Sequence, residues 1–377
     1  LAFHNYNDVY NAWPRSGFDA VNSTYPGGIM MVNYQGWGPA LLPYLDQAPT
    51  YAKYNSSIPW YSPNNQTAIK TYVPAFKCPS SPGENVVTIT FNKLTAGNLG
   101  IWKKIMRNSS VQVTPDAGFA AAGITPLTQN YTFTAGTNDY SCIAKEQFSS
   151  ALEGGQASIT PNASISIDRN ATALVENLDL DEVGANYGST NDQKVGLKWV
   201  VDGPSNTLLL VEAAARDQFW VRSSDPNGRY GFGLVVKNTT NTPDATLGFK
   251  SAQDWAVNYS GGTWADGQNF LWLSGSDFSG ASTSGSAKQC IVNCANARTW
   301  GCDDSTHTET GANGIPVNDC PAGGGSNDSR GMFSFHTNGV TVLLCDGSAR
   351  FLNDNTNRAT IYCLISRGRA DSPIGDW

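Results

Sequence analysis

The chain has 377 residues, 40% of them hydrophobic and only 15% charged, with a formal net charge of −7. That apolar content fills a sizeable core and excludes a disordered chain. Without a basic run, a nucleic-acid footprint or an anionic-membrane patch is not expected, and Asn, Ser, Thr and Gly must cover the surface.

The 38 Gly and 19 Pro suit strands and loops and disfavour long surface helices, so the expectation is an α+β protein, mostly β, in a single domain over residues 1–377. In the opening stretch LAFHNYNDVYNAWP, Ala2, Tyr6, Val9 or Tyr10, and Trp13 share one helical face, and Pro14 ends the run. No capping residue precedes Leu1, so residues 1–13 read as the last turns of a longer helix. GWGPALLPYLDQAPTYAKYN then holds a short helical turn around Leu41 to Leu45, and TYVPAFKCPSSPGE an extended segment ending at Cys78 in a Pro/Ser turn.

Residues 85–130 contain the strand VVTITF and a less regular insertion, and QNYTFTAGTNDYSCIA alternates as a further strand pair. The polar stretch from Glu153 to Lys194 has ITPNASISI as a strand candidate. In LKWVVDGPSNTLLLVEAA the pattern predicts a strand, a turn at Asp202 and Gly203, and a second strand from Leu208. Residues 223–330 read as a Cys- and Trp-rich insertion on the main domain. A hairpin, VTVLLCDGSARFL, and a short helix near Thr356 to Ser366 close the chain.

Two acids in these stretches invite a chemical reading. Asp346 and Gly347 form the pair that a two-residue type I′ hairpin turn demands, and apolar side chains on both faces of the flanking strands indicate a covered sheet position. Asp346 is therefore read as a turn residue. Asp202 and Gly203 repeat the device, followed by Ser205, Asn206 and Thr207, whose short side chains bond neighbouring backbone. Glu212 ends the apolar run TLLLVE; buried, it needs a partner such as Arg350 or Arg216, and a structural ion pair outweighs an acid/base role.

For catalysis there is no Gly-x-Ser-x-Gly elbow, and the only histidines are His4, His307 and His336. A triad through His336 in FSFHTNGV is a minor reading beside a satisfied structural histidine. His-Glu-x-x-His, the P-loop and the dinucleotide fingerprint are all missing from the sequence. The chain is thus read as non-enzymatic, with no catalytic or cofactor-binding residues assigned. Cys290, Cys294, Cys302 and His307 match no common zinc spacing, and DLDLDEVG, with Asp179, Asp181 and Glu182, leaves the EF-hand pattern after its second acid. Calcium is kept as a candidate ion with no ligand assigned.

Eight cysteines, Cys78, Cys142, Cys290, Cys294, Cys302, Cys320, Cys345 and Cys363, form an even set that reads as disulfides in an oxidising compartment. Cys78 with Cys142, and pairs within 290–320, are the pairings entertained. Ten Asn-x-Ser/Thr sequons, at Asn22, Asn55, Asn65, Asn108, Asn130, Asn162, Asn170, Asn238, Asn258 and Asn327, mark candidate glycosylation sites on an extracellular or cell-surface protein. The clusters DQFWVR, DWAVNYSGGTWADGQNFLWL and ARTWGC could stack on sugar, form a subunit contact or fill a core; the three readings stay open.

Taken in order, LAFHNYNDVYNAWP, GWGPALLPYLDQAPTYAKYN, VPAFKCPSSPG, NDYSCIA, DGPSNTLLLVEA, FSFHTNGVTVLLCDGSARFL and IYCLISRGRAD resemble the bacterial prepilin-like family known as domain of unknown function fifteen fifty-nine, also labelled solute-binding protein family ten. The resemblance covers both ends of the chain and its middle, leaving 85–130 and 223–330 as member-specific insertions. It implies a prepilin-type leader and a hydrophobic helix running into Leu1 to Trp13. It also implies a pilin-like fold, with an N-terminal helix packed on an antiparallel sheet, in an assembly related to type IV pili or type II secretion. Asp202, Gly203, Ser205, Asn206 and Thr207 look like the family's Asp-Gly-Thr-Ser-Asn-Thr turn with Pro204 replacing Thr, and Glu212 looks like its strand-end glutamate. His336 and Gly339 resemble its His-Pro-Gly-Gly stretch, and Asp346, Gly347 and Ser348 its hairpin. None brings a catalytic role.

The expectation is a secreted, disulfide-stapled glycoprotein that polymerises with copies of itself as a pilin-like structural subunit, meeting a membrane only through a helix missing from these residues. The alternative is a surface-displayed glycan- or solute-binding module.

Overall fold

A computed structural model describes residues 1–15, 17–21, 32–91, 117–125, 129–146, 173, 195–216, 262–267, 269–273, 291–293, 296, 309–310, 316–317 and 331–367. The helices are α1 (Ala2–Tyr10), α2 (Trp37–Leu41), α3 (Ala48–Tyr51), α4 (Gln66–Ile69), α5 (Ala117–Ala121) and α6 (Arg358–Ile365). The strands are β1 (Gly17–Val21), β2 (Val32–Gly36), β3 (Val86–Phe91), β4 (Tyr131–Gly136), β5 (Tyr140–Glu146), β6 (Leu208–Glu212), β7 (Phe270–Leu273), β8 (Glu309–Thr310), β9 (Pro316–Val317), β10 (Gly339–Leu344) and β11 (Ala349–Asn353). The protein is thus mixed α+β, as its composition predicts.

A five-stranded sheet in the order β11-β10-β6-β5-β7 organises the molecule; its pairs are antiparallel apart from β5 with β7. The strand VVTITF forms as expected but pairs with β4, so β4 and β5, adjacent in sequence, belong to different sheets. Central β6 is buried along its whole length, which explains its unbroken apolar run. One face of the sheet packs Leu208, Val211, Val340, Val342, Leu344 and Leu352 against Ile361, Leu364 and Ile365 of α6. The other packs Leu209, Leu210 and Cys142 into an aromatic cluster that includes Phe3, Trp13, Trp37, Phe76, Phe133 and Trp264.

The register between β10 and β6 shifts so that Leu343 faces Leu210 while Leu344 faces Leu208, leaving Leu209 as an extra residue. A bulge of this kind reverses the in-and-out alternation beyond it. Glu212 shares the face of Leu210, two residues before it, and of its cross-strand neighbour Tyr140, and the bulge sets this face opposite to the one that Leu208 presents to α6.

Several sequence expectations need correcting. Helix α1 stops at Tyr10 because Asn11 takes a left-handed conformation (φ 52°), its N–H reaching the Asn7 carbonyl. Its buried residues are Ala2 and Phe3, and Phe3 packs on Trp13 and Trp37, so α1 docks on α2 and the neighbouring turn Leu42–Tyr44. Ala2 and Phe3 also share the cluster that takes in Leu209, Leu210 and Cys142 of the sheet, while α6 packs in the cluster on the sheet's other face. LKW is a 3-10 turn (Leu197–Trp199), not a strand.

The 345–347 corner is a three-residue loop and not a type I′ turn. Gly347 has a positive φ (86°) but Asp346 does not, the Gly347 N–H donates to the Leu344 carbonyl (2.9 Å), and the Leu344 N–H donates to the Ser348 carbonyl (2.9 Å). Strand β11 is an edge strand, and of its residues only Leu352 is buried. The other corner, at Asp202 and Gly203 (φ 98°), leads into a 3-10 turn, Pro204–Asn206, that holds Ser205 and Asn206. The two corners bond to each other: the Asp346 N–H donates to the Pro204 carbonyl (3.0 Å) and the Cys345 N–H to that of Thr207 (2.9 Å). Ser366 Oγ donates to Asp202 Oδ2 (3.1 Å), tying the pair to the end of α6.

Cys78, Cys142, Cys345 and Cys363 are thiols, and the expected Cys78–Cys142 disulfide does not form. Cys142 Sγ instead donates to the Asn269 carbonyl (3.6 Å), while Cys78 Sγ faces Ser80 and His336. Burial pushes the Cys345 thiol up to about 12. Cys290, Cys294, Cys302 and Cys320 lie outside the described residues, as do His307, Asp179, Asp181 and Glu182.

Asn65 is 0% exposed: its Nδ2 donates to the carbonyls of Asn55 and Pro59 (both 3.1 Å) and its Oδ1 accepts from the Asn55 N–H (2.8 Å), which leaves no room for a glycan. Asn55 and Asn130 are exposed; Asn22, Asn108, Asn162, Asn170, Asn238, Asn258 and Asn327 lie outside the described residues. Trp13, Trp37, Trp60 and Trp264 are core residues. Parts of both stretches read as insertions belong to the core as well, through Val87, Ile89, Trp264 and Leu271.

Candidate functional site

Where β6 ends, three stretches distant in sequence meet. The first follows the 3-10 turn Pro74–Phe76, opened by its proline. Asp139 secures it: its N–H donates to the Phe76 carbonyl (2.8 Å), and its Oδ2 accepts from the Cys78 N–H (3.0 Å). Its Oδ1 accepts from the Ala215 N–H (2.9 Å), so one carboxylate fixes the Cys78 loop to the chain leaving β6. Lys77 neutralises it within the core, with Nζ 3.3 Å from Oδ2, and also donates to the Glu84 carbonyl (3.2 Å).

The second stretch is the end of β6, where the bulge has turned Glu212 onto this face. Its carboxylate is 1% exposed, a costly place for a charge without partners. Oε2 accepts from the Thr341 N–H of β10 (2.6 Å) and Oε1 lies 3.2 Å from His336 Nε2. Neither Arg350 nor Arg216, the partners expected from sequence, pairs with Glu212: Arg350 stands on the edge strand β11, where its charge acts on Asp346.

The third stretch is the loop entering β10. Phe333 bridges to Ala213, its N–H donating to the Glu212 carbonyl (3.0 Å), which lays the loop beside the end of β6. Ser334 Oγ donates to the Gly339 carbonyl (2.7 Å) and accepts the His336 N–H (3.2 Å), shaping the turn that presents the imidazole. The His336 side chain is 36% exposed and forms the solvent side of the cluster.

His336 Nε2 is the hub. It lies 3.2 Å from Glu212 Oε1, 3.6 Å from Cys78 Sγ and 3.5 Å from Ser80 Oγ, and Ser80 Oγ is 3.0 Å from the same sulfur. Burial pushes the Cys78 thiol up, hydrogen bonding to Ser80 opposes this, and the Glu212 charge adds to the rise. Burial first, and then the acids Glu212 and Asp139 and the Cys78 sulfur beside it, likewise raise the Tyr140 phenol.

A cysteine–histidine–acid relay needs the two ring nitrogens to face different partners, one the thiol and the other the orienting acid. Here thiol and carboxylate face the same nitrogen, and the thiol is not activated towards thiolate. Among the described residues, Cys78, Glu212 and His336 are the group whose ligand atoms stand close enough together, within 4.8 Å, to hold a metal ion.

Of the residues singled out in the sequence, Glu212 and His336 come together here. Asp202, Gly203, Ser205, Asn206, Asp346 and Gly347 gather at the opposite end of β6 and β10. Sequence reading missed Cys78 as their neighbour, and with it Lys77, Asp139 and Tyr140. A signal was available: VPAFKCPSSPG, NDYSCIA, DGPSNTLLLVEA and FSFHTNGV, four of the segments that carry the family resemblance, each place a residue in this cluster.

The family described as "Protein of unknown function (DUF1559)", short name SBP_bac_10, matches residues 1–359. No curated protein and no solved structure matches the chain. With its ordered segments, their convergence at one end of the sheet and a match over nearly its whole length, the chain belongs to the DUF1559 (SBP_bac_10) family.

Proposed function

We propose that the protein is a non-enzymatic structural subunit of an extracellular, pilin-like filament or cell-surface assembly built from copies of this chain. The observation that carries this reading is an exposed apolar surface at the C-terminal end of α1. Val9 and Tyr10 are 60% and 51% exposed, and Trp199 and Val201 on the neighbouring segment 52% and 70%. Hydrogen bonds from the Trp13 N–H to the Val195 carbonyl (2.6 Å) and from the Leu197 N–H to Asn7 Oδ1 (3.1 Å) hold that segment to the helix. The Tyr6 ring packs on both Tyr10 and Tyr44 (centroids 4.4 and 6.0 Å apart), and Tyr51 is exposed as well.

Apolar surface of this kind favours burial against a partner. A second copy is the partner the family resemblance implies, and head-to-tail contacts between copies build open polymers when the rotation does not close. Of the tryptophans in the clusters read as sugar-stacking candidates, Trp264 is occupied in the core, and Trp220, Trp255 and Trp300 lie outside the described residues.

Electron microscopy of the purified full chain at high concentration, and of native cell surfaces, tests the reading. Regular polymers are expected, and combining Trp199→Asp with Val201→Glu should disperse them without changing the circular dichroism. Wild-type protein that stays monomeric under these conditions would overturn it, as would saturable glycan binding abolished by Trp199→Ala.

A further inference from the structure

We infer that Cys78, Glu212 and His336 form a divalent-metal site of the zinc class, with its fourth position open to solvent beside His336. The inference is independent of assembly, because it rests on donors inside one chain.

The three ligand atoms lie within 4.8 Å of one another, and the two separations made by His336 match those around a tetrahedral ion. With Zn–S of about 2.3 Å and Zn–N or Zn–O of about 2.0–2.1 Å, a tetrahedral ion places sulfur about 3.6 Å from nitrogen and nitrogen about 3.3 Å from oxygen. The corresponding separations are 3.6 Å for Cys78 Sγ to His336 Nε2 and 3.2 Å for His336 Nε2 to Glu212 Oε1. That one nitrogen faces both other donors is what makes a relay unsuitable, and it is what a shared ion requires.

Each donor is also held by contacts that leave its ligating atom available. The Cys78 backbone is fixed by Asp139, Glu212 Oε2 is occupied by the Thr341 N–H while Oε1 points into the cluster, and the His336 backbone is fixed by Ser334. Support of this sort orients ligands. Among the described residues no Lys or Arg pairs with Glu212, so a bound cation would give this buried carboxylate a positive partner.

One thiol, one imidazole and one carboxylate suit zinc better than magnesium or calcium, which take oxygen donors. Ligation releases the Cys78 proton to solvent and needs no oxidant. The ion would clamp the Cys78 loop, the end of β6 and the loop entering β10 into one unit.

The full-length protein, stripped with chelator and reloaded with Zn²⁺ or Co²⁺, provides the test. A single ion per chain is expected, with a zinc-edge X-ray absorption shell of one sulfur and the remainder nitrogen or oxygen. The cobalt form should show a thiolate charge-transfer band that Cys78→Ser removes. Glu212→Gln and His336→Ala should each lower zinc affinity about 100-fold or more. Failure to bind stoichiometric zinc, a sulfur-rich shell pointing to the other cysteines, or a cobalt band that survives Cys78→Ser would overturn the inference. The absorption shell is read on the wild type, so it decides the matter even where a variant fails to fold.

Discussion

Asp346 and Glu212 are both single acids at the end of an apolar strand, at opposite ends of the paired strands β10 and β6, and they do opposite things. Asp346 is exposed, and its Oδ1 accepts from the N–H and Oγ of Ser348 (2.8 and 2.6 Å), so it closes its own turn. Glu212 is buried, one oxygen held by a backbone N–H from β10 and the other facing a histidine and, beyond it, a thiol. A carboxylate whose partners are two residues away is a local device. One whose partners lie more than a hundred residues away organises chemistry.

The contrast can be broken from either end, and the largest effect should come from the support beneath Glu212. Lys77→Ala removes the cation partner of the buried Asp139, which fixes the Cys78 loop, and should cost about 3–5 kcal/mol in denaturant unfolding. Glu212→Gln keeps the shape but removes the charge that Thr341 and His336 share; a loss of about 1–3 kcal/mol is expected from urea midpoints. A loss near zero would reduce Glu212 to the same standing as Asp346.

At the other corner the backbone should matter more than the acid. Gly347→Ala forces a side chain onto a residue with φ 86° and places its Cβ 3.2 Å from His4 Nε2, for about 1–3 kcal/mol. Asp346→Ala should cost about 0.5 kcal/mol or less at neutral pH.

The smallest effect is one of pH. Hydrogen bonds from Ser348, against some desolvation and with help from the Arg350 charge, hold the Asp346 carboxyl below its ordinary range. A depressed folded value means the stabilisation is present above the unfolded pKa and fades as pH falls through the folded one. Asp346→Asn should therefore flatten the loss of stability between about pH 5 and about pH 3, measured by urea midpoints.

Much of the fold was legible in short stretches. VVTITF is a strand, VTVLLCDGSARFL a hairpin and both terminal helices form near their expected places, because period, turn residues and proline act over a few neighbours. What failed also failed locally. Asn11 ended a helix that apolar spacing would have continued, and the Asp-Gly pair sat in a three-residue loop because Cys345 joined the turn. Glu212 and His336 were noticed, but their meeting was not, since Cys78 and His336 lie 258 residues apart.

The amino-acid sequence alone determined that this is an α+β chain with a buried central strand, acid–glycine corners and the ordered segments of its family, all properties of composition and near-neighbour pattern. Tertiary structure decided that Cys78 would face a histidine and not another cysteine, and that Glu212 would turn towards them. The physical reason is the extra residue at Leu209: a single-residue bulge, opposite a strand more than a hundred residues later, reverses which face a side chain occupies, and only the pairing of the two strands creates it.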